Sequence, residues 1–79
     1  TQQPAAPDDE VLTKQKRSRI NHAIGLLSEE HRSVIVLREI DGLSYDEISR
    51  ITGTGVGTVM SRLHYARKKL QEYLMTLWR

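Results

Sequence analysis

Apolar residues recur at helical spacing through most of this chain, separated by short turn signals. The first stripe consists of Leu12, Ile20, Ala23, Ile24 and Leu27. It predicts a first helix over about residues 9–27, and the basic stretch from Lys14 to Arg19 leaves its first half weakly anchored. Carboxylates at residues 8–10 favour a helix start there, because they lie near the positive end of the helix dipole.

The second apolar stripe is formed by Val34, Ile35, Leu37 and Ile40. Ser28 is a suitable N-cap, and two glutamates follow it in the first turn. Residues 34–37 are β-prone in isolation, but the cap and the surrounding charges favour a helix. We expect this helix to end at the turn pair Asp41-Gly42.

A third, shorter helix is predicted from a capping box, in which Ser44 and Glu47 each bind the backbone N–H of the other. It runs to about Thr52 and is expected to bury Ile48 and Ile51. The glycine-containing turn at residues 53–55 separates it from a long fourth helix that starts near Val56.

These elements predict an all-α fold, a four-helix bundle containing a helix-turn-helix with a long C-terminal recognition helix. In a helix-turn-helix, the second helix enters the major groove of DNA. The fourth helix has the two faces that this role requires. Its inner sector is predicted to consist of Val59, Leu63, Ala66 and Leu70.

The opposite sector carries polar, aromatic and cationic groups, with Gly57 at its start. Arg62, Arg67 and Lys69 lie toward the edges of the inner sector, where they could reach phosphates. A solvated face is the alternative for these cations. The predicted DNA-binding residues are Thr58, Met60, Ser61, Arg62, His64, Tyr65, Arg67 and Lys68.

The amino-acid composition and the distribution of charge limit the classes of function that this chain could have. The 79 residues carry a net charge of +2, but residues 53–79 alone carry +4, which indicates an anionic partner for the C-terminal third. The absence of cysteine excludes disulfides and thiolate–metal sites. No apolar run approaches the roughly 20 residues of a membrane helix. We expect a cytoplasmic binding module without cofactor, metal or membrane partner, and not an enzyme.

Catalytic and metal-binding interpretations of individual residues find little support. His64 has no other histidine or carboxylate spaced to join it around a metal ion. Ser61 and His64 lie on an exposed face without a third orienting group, so they do not form a catalytic pair. The glycines at 55 and 57 lack the preceding strand and following Lys of a phosphate-binding loop.

The two ends of the chain have separate interpretations. Residues 1–8 hold both prolines and are predicted to be a flexible linker, and the first residue, Thr1, suggests a fragment or processed piece. Residues 9–79 form the predicted domain. At the other end, Tyr73, Leu74, Leu77 and Trp78 continue the inner sector. They either pack on the first helix, which the needs of a small core favour, or form a docking surface for another protein or a second copy.

Residues 27–70 resemble region 4 of a bacterial sigma factor, most closely the extracytoplasmic-function group. The most specific pieces are Leu37-Arg38-Glu39, Gly42-Leu43-Ser44-Tyr45 with Glu47-Ile48, and Val56-Gly57-Thr58-Val59 with Ser61-Arg62-Leu63 and Ala66-Arg67. They occur in the family's order and without gaps. Together they cover somewhat over half of the chain.

The resemblance implies that the third and fourth helices bind the −35 promoter element of DNA. It also implies docking of the apolar face on the flap of the RNA polymerase β subunit, and masking of these surfaces by an anti-sigma factor. The linker then resembles the end of a connection from an upstream region 2. The sequence departs from the family pattern at Gly55, where proline is common, and at Met60 and Tyr65, where arginine is frequent. The promoter sequence of a typical relative is therefore not carried over.

Two other functions remain open from the residues alone. A dimeric transcriptional regulator with a helix-turn-helix output domain would bind symmetric half-sites without polymerase. A helical protein-interaction domain would show DNA binding that weakens little with salt, or no DNA binding at all.

Overall fold

The computed structural model describes the backbone of residues 7–77 and the side chains of residues 13–76. Within this part the chain is helical: α1 spans Pro7–Gly25, α2 Glu29–Ile35, α3 Tyr45–Thr52 and α4 Val56–Leu77. A π-helical turn, Val36–Ile40, continues α2 without a break. The predicted all-α class and the helix-turn-helix of α3 and α4 are confirmed.

The predicted helix boundaries need small corrections at α1. The helix begins at Pro7, two residues before the predicted start, and proline suits the first helical position because its missing N–H has no partner there. It ends at Gly25, and a turn follows in which the Leu27 N–H binds the Ile24 carbonyl at 3.1 Å. Pro7 and Asp8 of the predicted linker, residues 1–8, thus belong to α1, and residues 1–6 lie outside the described residues, so for them the linker assignment stays a prediction.

Local capping signals fix the starts of α2 and α3 as predicted. The Ser28 hydroxyl accepts the His31 N–H at 3.3 Å. At α3, the Glu47 N–H donates to the Ser44 hydroxyl at 3.1 Å, and the Ser44 N–H donates to the Glu47 carboxylate at 2.9 Å. The reciprocal capping box is therefore confirmed.

Two glycines in the left-handed conformation end the helices that precede α3 and α4. Gly42 has φ 71° after the π turn, and Gly53 has φ 70° after α3. Such φ values cost a side-chain-bearing residue free energy because its Cβ approaches the backbone carbonyl. The predicted turns at residues 41–42 and 53–55 are thus confirmed.

The core lies where α1, α2 and α3 all pack against α4. Its fully buried side chains include Val34, Ile35 and Ile48. The inner sector of α4 is confirmed: Val59, Leu63 and Ala66 are at most 1% exposed, and Leu70 is partly buried. Ala23, Ile24 and Leu27 complete the core from the end of α1 and the turn after it.

Three isoleucines of the predicted apolar stripes are exposed, which contradicts their expected burial. Ile20 is 42% exposed, and Ile40 and Ile51 are each 61% exposed. Ile51 borders an open groove between α2 and α4 that no described element covers. Ile40 ends the π turn, and Ile20 borders only a shallow depression beside Leu74. Helical spacing predicted that neighbouring elements would cover these side chains, but all three remain exposed.

The described residues of the C-terminal tail pack within the protein, as the first of the two interpretations predicts. Tyr73 and Leu74 are partly buried, and Tyr73 packs against the core cluster. Leu74 lies beside Ile20 and the side chains of Lys16 and Arg19 on α1. The side chains of the other two predicted tail residues, at positions 77 and 78, lie outside the described residues.

Candidate nucleic-acid interface

The outer face of α4 presents most of the predicted DNA-binding residues to solvent. Thr58, Met60, Ser61, His64, Tyr65 and Lys68 are all exposed. They occupy the first four turns of a 22-residue helix that is about 33 Å long. Because their positions follow the helical period, they form one continuous surface that begins at the turn after α3.

Two shallow depressions lie on this surface. Met60, His64 and Lys68 line one of them together with Tyr45 from the first turn of α3. Tyr65 and Lys68 line the other, beside His31 of α2. Arg67 lines the first depression as well, so seven of the eight predicted residues share one accessible face, and α3 and α2 contribute its two edges.

The rings of His64 and Tyr65 contact each other edge to face on this surface. Their centroids are 5.0 Å apart, and the ring planes meet at 79°. This geometry is favourable because the positive edge of one ring meets the negative face of the other. The contact restricts both side chains before any partner binds, while Tyr65 remains 58% exposed.

Arg67 differs from the other predicted residues because its guanidinium is engaged within the protein. Its Nε and Nη2 atoms lie 2.7 and 2.6 Å from Oε1 of Glu39. The hydrogen bond to Glu39 raises the pKa of Arg67 above the ordinary arginine value, and Tyr45 adds a smaller contribution. Arg67 lines the same depression as Met60 and His64, but its Nε and Nη2 atoms lie against Glu39.

The remaining cations of α4 differ in their partners. Arg62 is half-buried and lies 3.8 Å from Glu30 of α2, at the limit of an ion pair. Lys69 lies 3.8 Å from Glu72 and over the ring of Tyr73. Lys68 makes no ion pair with any described residue. Lys68 is therefore the cation of this face whose charge is most available to an anionic partner.

The capping box at α3 also shifts the pKa of its own glutamate. The backbone N–H of Ser44 donates to the Glu47 carboxylate, and this lowers the pKa of Glu47 below the ordinary glutamate value. The Ser44 hydroxyl acts in the same direction. Glu47 is fully exposed, so solvent moderates the effect.

Sequence reasoning missed Tyr45 and Gln71 as residues of this surface. Both line the depression that holds Met60 and His64. Tyr45 follows the capping serine directly, and the first turn of the first helix in a helix-turn-helix adjoins the recognition helix. That position could have identified Tyr45, whereas Gln71 carries no comparable signal.

The described residues contain neither a metal-binding cluster nor a membrane-spanning helix. Within residues 13–76, no three His, Asp or Glu side chains come together in a way that could hold a metal ion. Among the helices described between residues 7 and 77, none has the length and apolarity to cross a membrane.

Comparison with protein families then identifies the chain. The model of the family described as sigma-70, region 4 matches residues 17–70, which is more than half of the chain. This chain belongs to the sigma-70 region 4 family. The match covers α2, α3 and the part of α4 that bears the exposed surface, and it ends before Tyr73.

Individual relatives of this region 4 chain are extracytoplasmic-function (ECF) sigma factors. The ECF RNA polymerase sigma-E factor of Escherichia coli is 40% identical over 73 residues, which cover 92% of this chain and 38% of the relative. The protein of the same name from Salmonella typhi gives the same values. The ECF RNA polymerase sigma factor SigE of Mycolicibacterium smegmatis is 46% identical over 52 residues, covering 66% of this chain and 20% of the relative. The chain thus spans less than two fifths of the length of these relatives.

Proposed function

We propose that this region 4 chain binds the −35 element of promoter DNA through α3 and α4, as the promoter-recognising part of an alternative sigma factor that directs transcription initiation. One observation carries the proposal: the family match at residues 17–70 includes the segment of α4 whose outer face is exposed. Members of this family are transcription factors, and the proposed role involves binding without catalysis.

Base recognition is assigned to the centre of the exposed face. Ser61 and His64 lie one turn apart, and both can hydrogen-bond to base edges in the major groove. Met60 and Tyr65, exposed by more than half, offer apolar contact to thymine methyl groups. Tyr45 would border the same bases from the start of α3.

Backbone contacts are assigned to cations beside the groove-facing residues. Lys68 has its charge available, and Arg62 can leave a long ion pair at little cost, since exposed pairs contribute little. Few phosphates are then neutralised, so the isolated chain binds DNA weakly and with modest salt dependence. Tethering to polymerase would compensate through effective concentration.

A groove beside the DNA-binding surface is the proposed polymerase contact. Val36, Leu37 and Ile51 provide its apolar floor. Charged side chains border it on α2 and α4, including Arg32 and Arg62. An apolar groove with a charged rim suits an amphipathic helix. We assign this groove to the flap of the RNA polymerase β subunit, and an anti-sigma factor would compete for it.

A matched pair of substitutions tests the polymerase contact. Ile51→Asp places a charge in the groove, whereas Ile40→Asp places one outside it, and both isoleucines are 61% exposed. We expect core polymerase or an isolated flap fragment to retain the wild-type chain and the Ile40 variant but to lose the Ile51 variant. Equal retention of both variants would refute the groove assignment.

DNA footprinting of the same chain tests the promoter contact. A single asymmetric protected segment, upstream of the start site in the presence of polymerase, is expected of a sigma domain. Symmetric protection of two half-sites without polymerase would instead support a dimeric helix-turn-helix regulator.

A further inference from the structure

Residues from three helical elements meet at the boundary of the DNA-binding surface. Glu39 comes from the π turn, Tyr45 from the first turn of α3, and Arg67 from the middle of α4. Glu39 and Arg67 are 28 residues apart in sequence, yet Oε1 of Glu39 accepts the Arg67 Nε–H at 2.7 Å and lies 2.6 Å from its Nη2. This contact joins the segment before the helix-turn-helix directly to its second helix.

Arg38 holds the other side of the same junction. Its Nη1 donates to the Leu43 carbonyl at 2.8 Å, and its guanidinium lies 4.9 Å from the ring centroid of Tyr45. Two adjacent residues of the π turn therefore make contacts with different parts of the helix-turn-helix. Arg38 fixes the turn into α3, and Glu39 fixes α4 against that turn.

The π turn gives these two side chains their positions. The Asp41 N–H binds the Val36 carbonyl at 3.0 Å, a bond between residues five apart, where an α-helix joins residues four apart. One additional residue in the turn rotates the subsequent chain relative to α2. Single π turns inside α-helices are frequent at functional sites.

The pair is too exposed for stability to be its main effect. Both side chains are 47% exposed, and ion pairs this exposed contribute little to stability. The contact constrains geometry more than stability, because one carboxylate oxygen lies within 2.7 Å of two nitrogens of a rigid, planar guanidinium. The rotation of α4 decides which side chains meet base edges, so a contact that fixes this rotation affects sequence recognition.

From this geometry we infer that Arg67 is a positioning residue: through Glu39 it holds α4 at the rotation that presents Ser61 and His64 to DNA, and it is not a backbone contact. The inference rests on the proposed DNA binding for its functional consequence. It replaces the prediction that Arg67 binds phosphate. The engaged Nε and Nη2 atoms account for two of the five donors of the guanidinium.

Neutralising Glu39 separates the two roles by the sign of the effect. If Arg67 bound phosphate, Glu39→Gln would release it and remove a nearby negative charge, so DNA would bind more tightly. If Arg67 positions α4, Glu39→Gln lowers the ratio of promoter to scrambled-duplex affinity by about threefold to tenfold. Fluorescence anisotropy with both duplexes measures this ratio, and tighter binding to both duplexes with an unchanged or higher ratio would overturn the inference.

A double-mutant cycle and a salt series complete the test. Arg67→Gln should lower the same ratio as Glu39→Gln, and the double variant should lose no more than either single one. The slope of affinity against salt should stay that of the wild type in Arg67→Gln but become shallower in the control Lys68→Gln, whose lysine has no described ion-pair partner. Additive losses, or a slope change in Arg67→Gln, would overturn the inference.

An NMR measurement tests the contact without DNA. The Arg67 Nε–H resonance should be protected from exchange in the wild type, and should lose this protection in Glu39→Gln while the core resonances of Val59 and Leu63 stay in place. If the resonance is protected but no duplex binds, the proposed function fails and the contact stands. An unprotected resonance in the wild type would overturn the contact itself.

Discussion

The inner and outer faces of α4 belong to one helix but are constrained differently. On the inner face, Leu63 and Val59 are at most 1% exposed and contact three other helices through the core. On the outer face, Met60 and Tyr65 are more than half exposed. Packing restricts the volume and shape of the inner residues, whereas the outer residues are free to differ in chemistry. Promoter specificity can therefore change without a change of fold, as the departures at Met60 and Tyr65 suggest.

The largest expected difference between the two faces is in stability. Leu63→Ala should cost about 2–5 kcal/mol because it leaves a cavity in a small core. Met60→Ala on the outer face should change stability by no more than about 0.5 kcal/mol. Urea denaturation followed by circular dichroism measures both, and loss of a cooperative transition in Leu63→Ala counts as the large effect. Similar losses for the two variants would mean that the faces are not distinct.

The outer face should show its effect in DNA recognition. Ser61→Ala and His64→Ala are each expected to weaken promoter binding by roughly 1–3 kcal/mol, because they remove hydrogen bonds to base edges. Binding to a scrambled duplex should stay nearly unchanged. Thr76→Ala, exposed at the far end of α4, is the control and should affect neither duplex. Equal losses on both duplexes would show that α4 does not read sequence through these residues.

A third substitution removes a capping contact of α3, the helix that packs against α4. Ser44→Ala removes the cap contact to the Glu47 N–H and should cost on the order of 1 kcal/mol. Ser33→Ala, an exposed change inside α2, is the control and should be neutral or slightly stabilising. Thermal unfolding curves of the wild type and Ser44→Ala that coincide would contradict a stabilising capping box.

Salt dependence should distinguish two neighbouring cations of α4. Lys68→Ala is expected to make the slope of log affinity against log salt shallower by about 1, since one phosphate contact is lost. Lys69→Ala should change it less, because Lys69 lies near Glu72 and over the Tyr73 ring. Anisotropy titrations at several salt concentrations give both slopes. An unchanged slope in Lys68→Ala would show that Lys68 does not contact the DNA backbone.

The smallest expected effect is the pH dependence of the capping box. The pKa of Glu47 is lowered in the folded protein, so its contribution is complete above the ordinary glutamate pKa of about 4.3 and is lost as the pH falls through the lowered value. Glu47→Gln keeps an acceptor but does not titrate. We expect the difference in urea midpoint between wild type and Glu47→Gln to shrink as the pH falls. A difference that grows on acidification would contradict the lowered pKa.

The sequence by itself determined where α2, α3 and α4 begin, where the turns before α3 and α4 lie, and which side of α4 faces the core. Ser28 and the Ser44–Glu47 pair cap α2 and α3, and Gly42 and Gly53 adopt the left-handed conformation that ends a helix. These features depend on residues three to five positions apart, whose interactions are set by helical geometry alone. The exposure of the predicted outer face followed from the same periodicity.

Only the tertiary structure decided which apolar residues are covered and which charged residues pair. Ile51 has the spacing of a core residue, but it borders a groove that no described helix fills. Arg67 pairs with Glu39 of the π turn, 28 residues away, a contact that the sequence did not predict. Neither outcome is encoded in local spacing. Burial depends on where a neighbouring helix ends, and a long-range ion pair depends on the relative rotation of two helices, so both are settled only when the elements pack together.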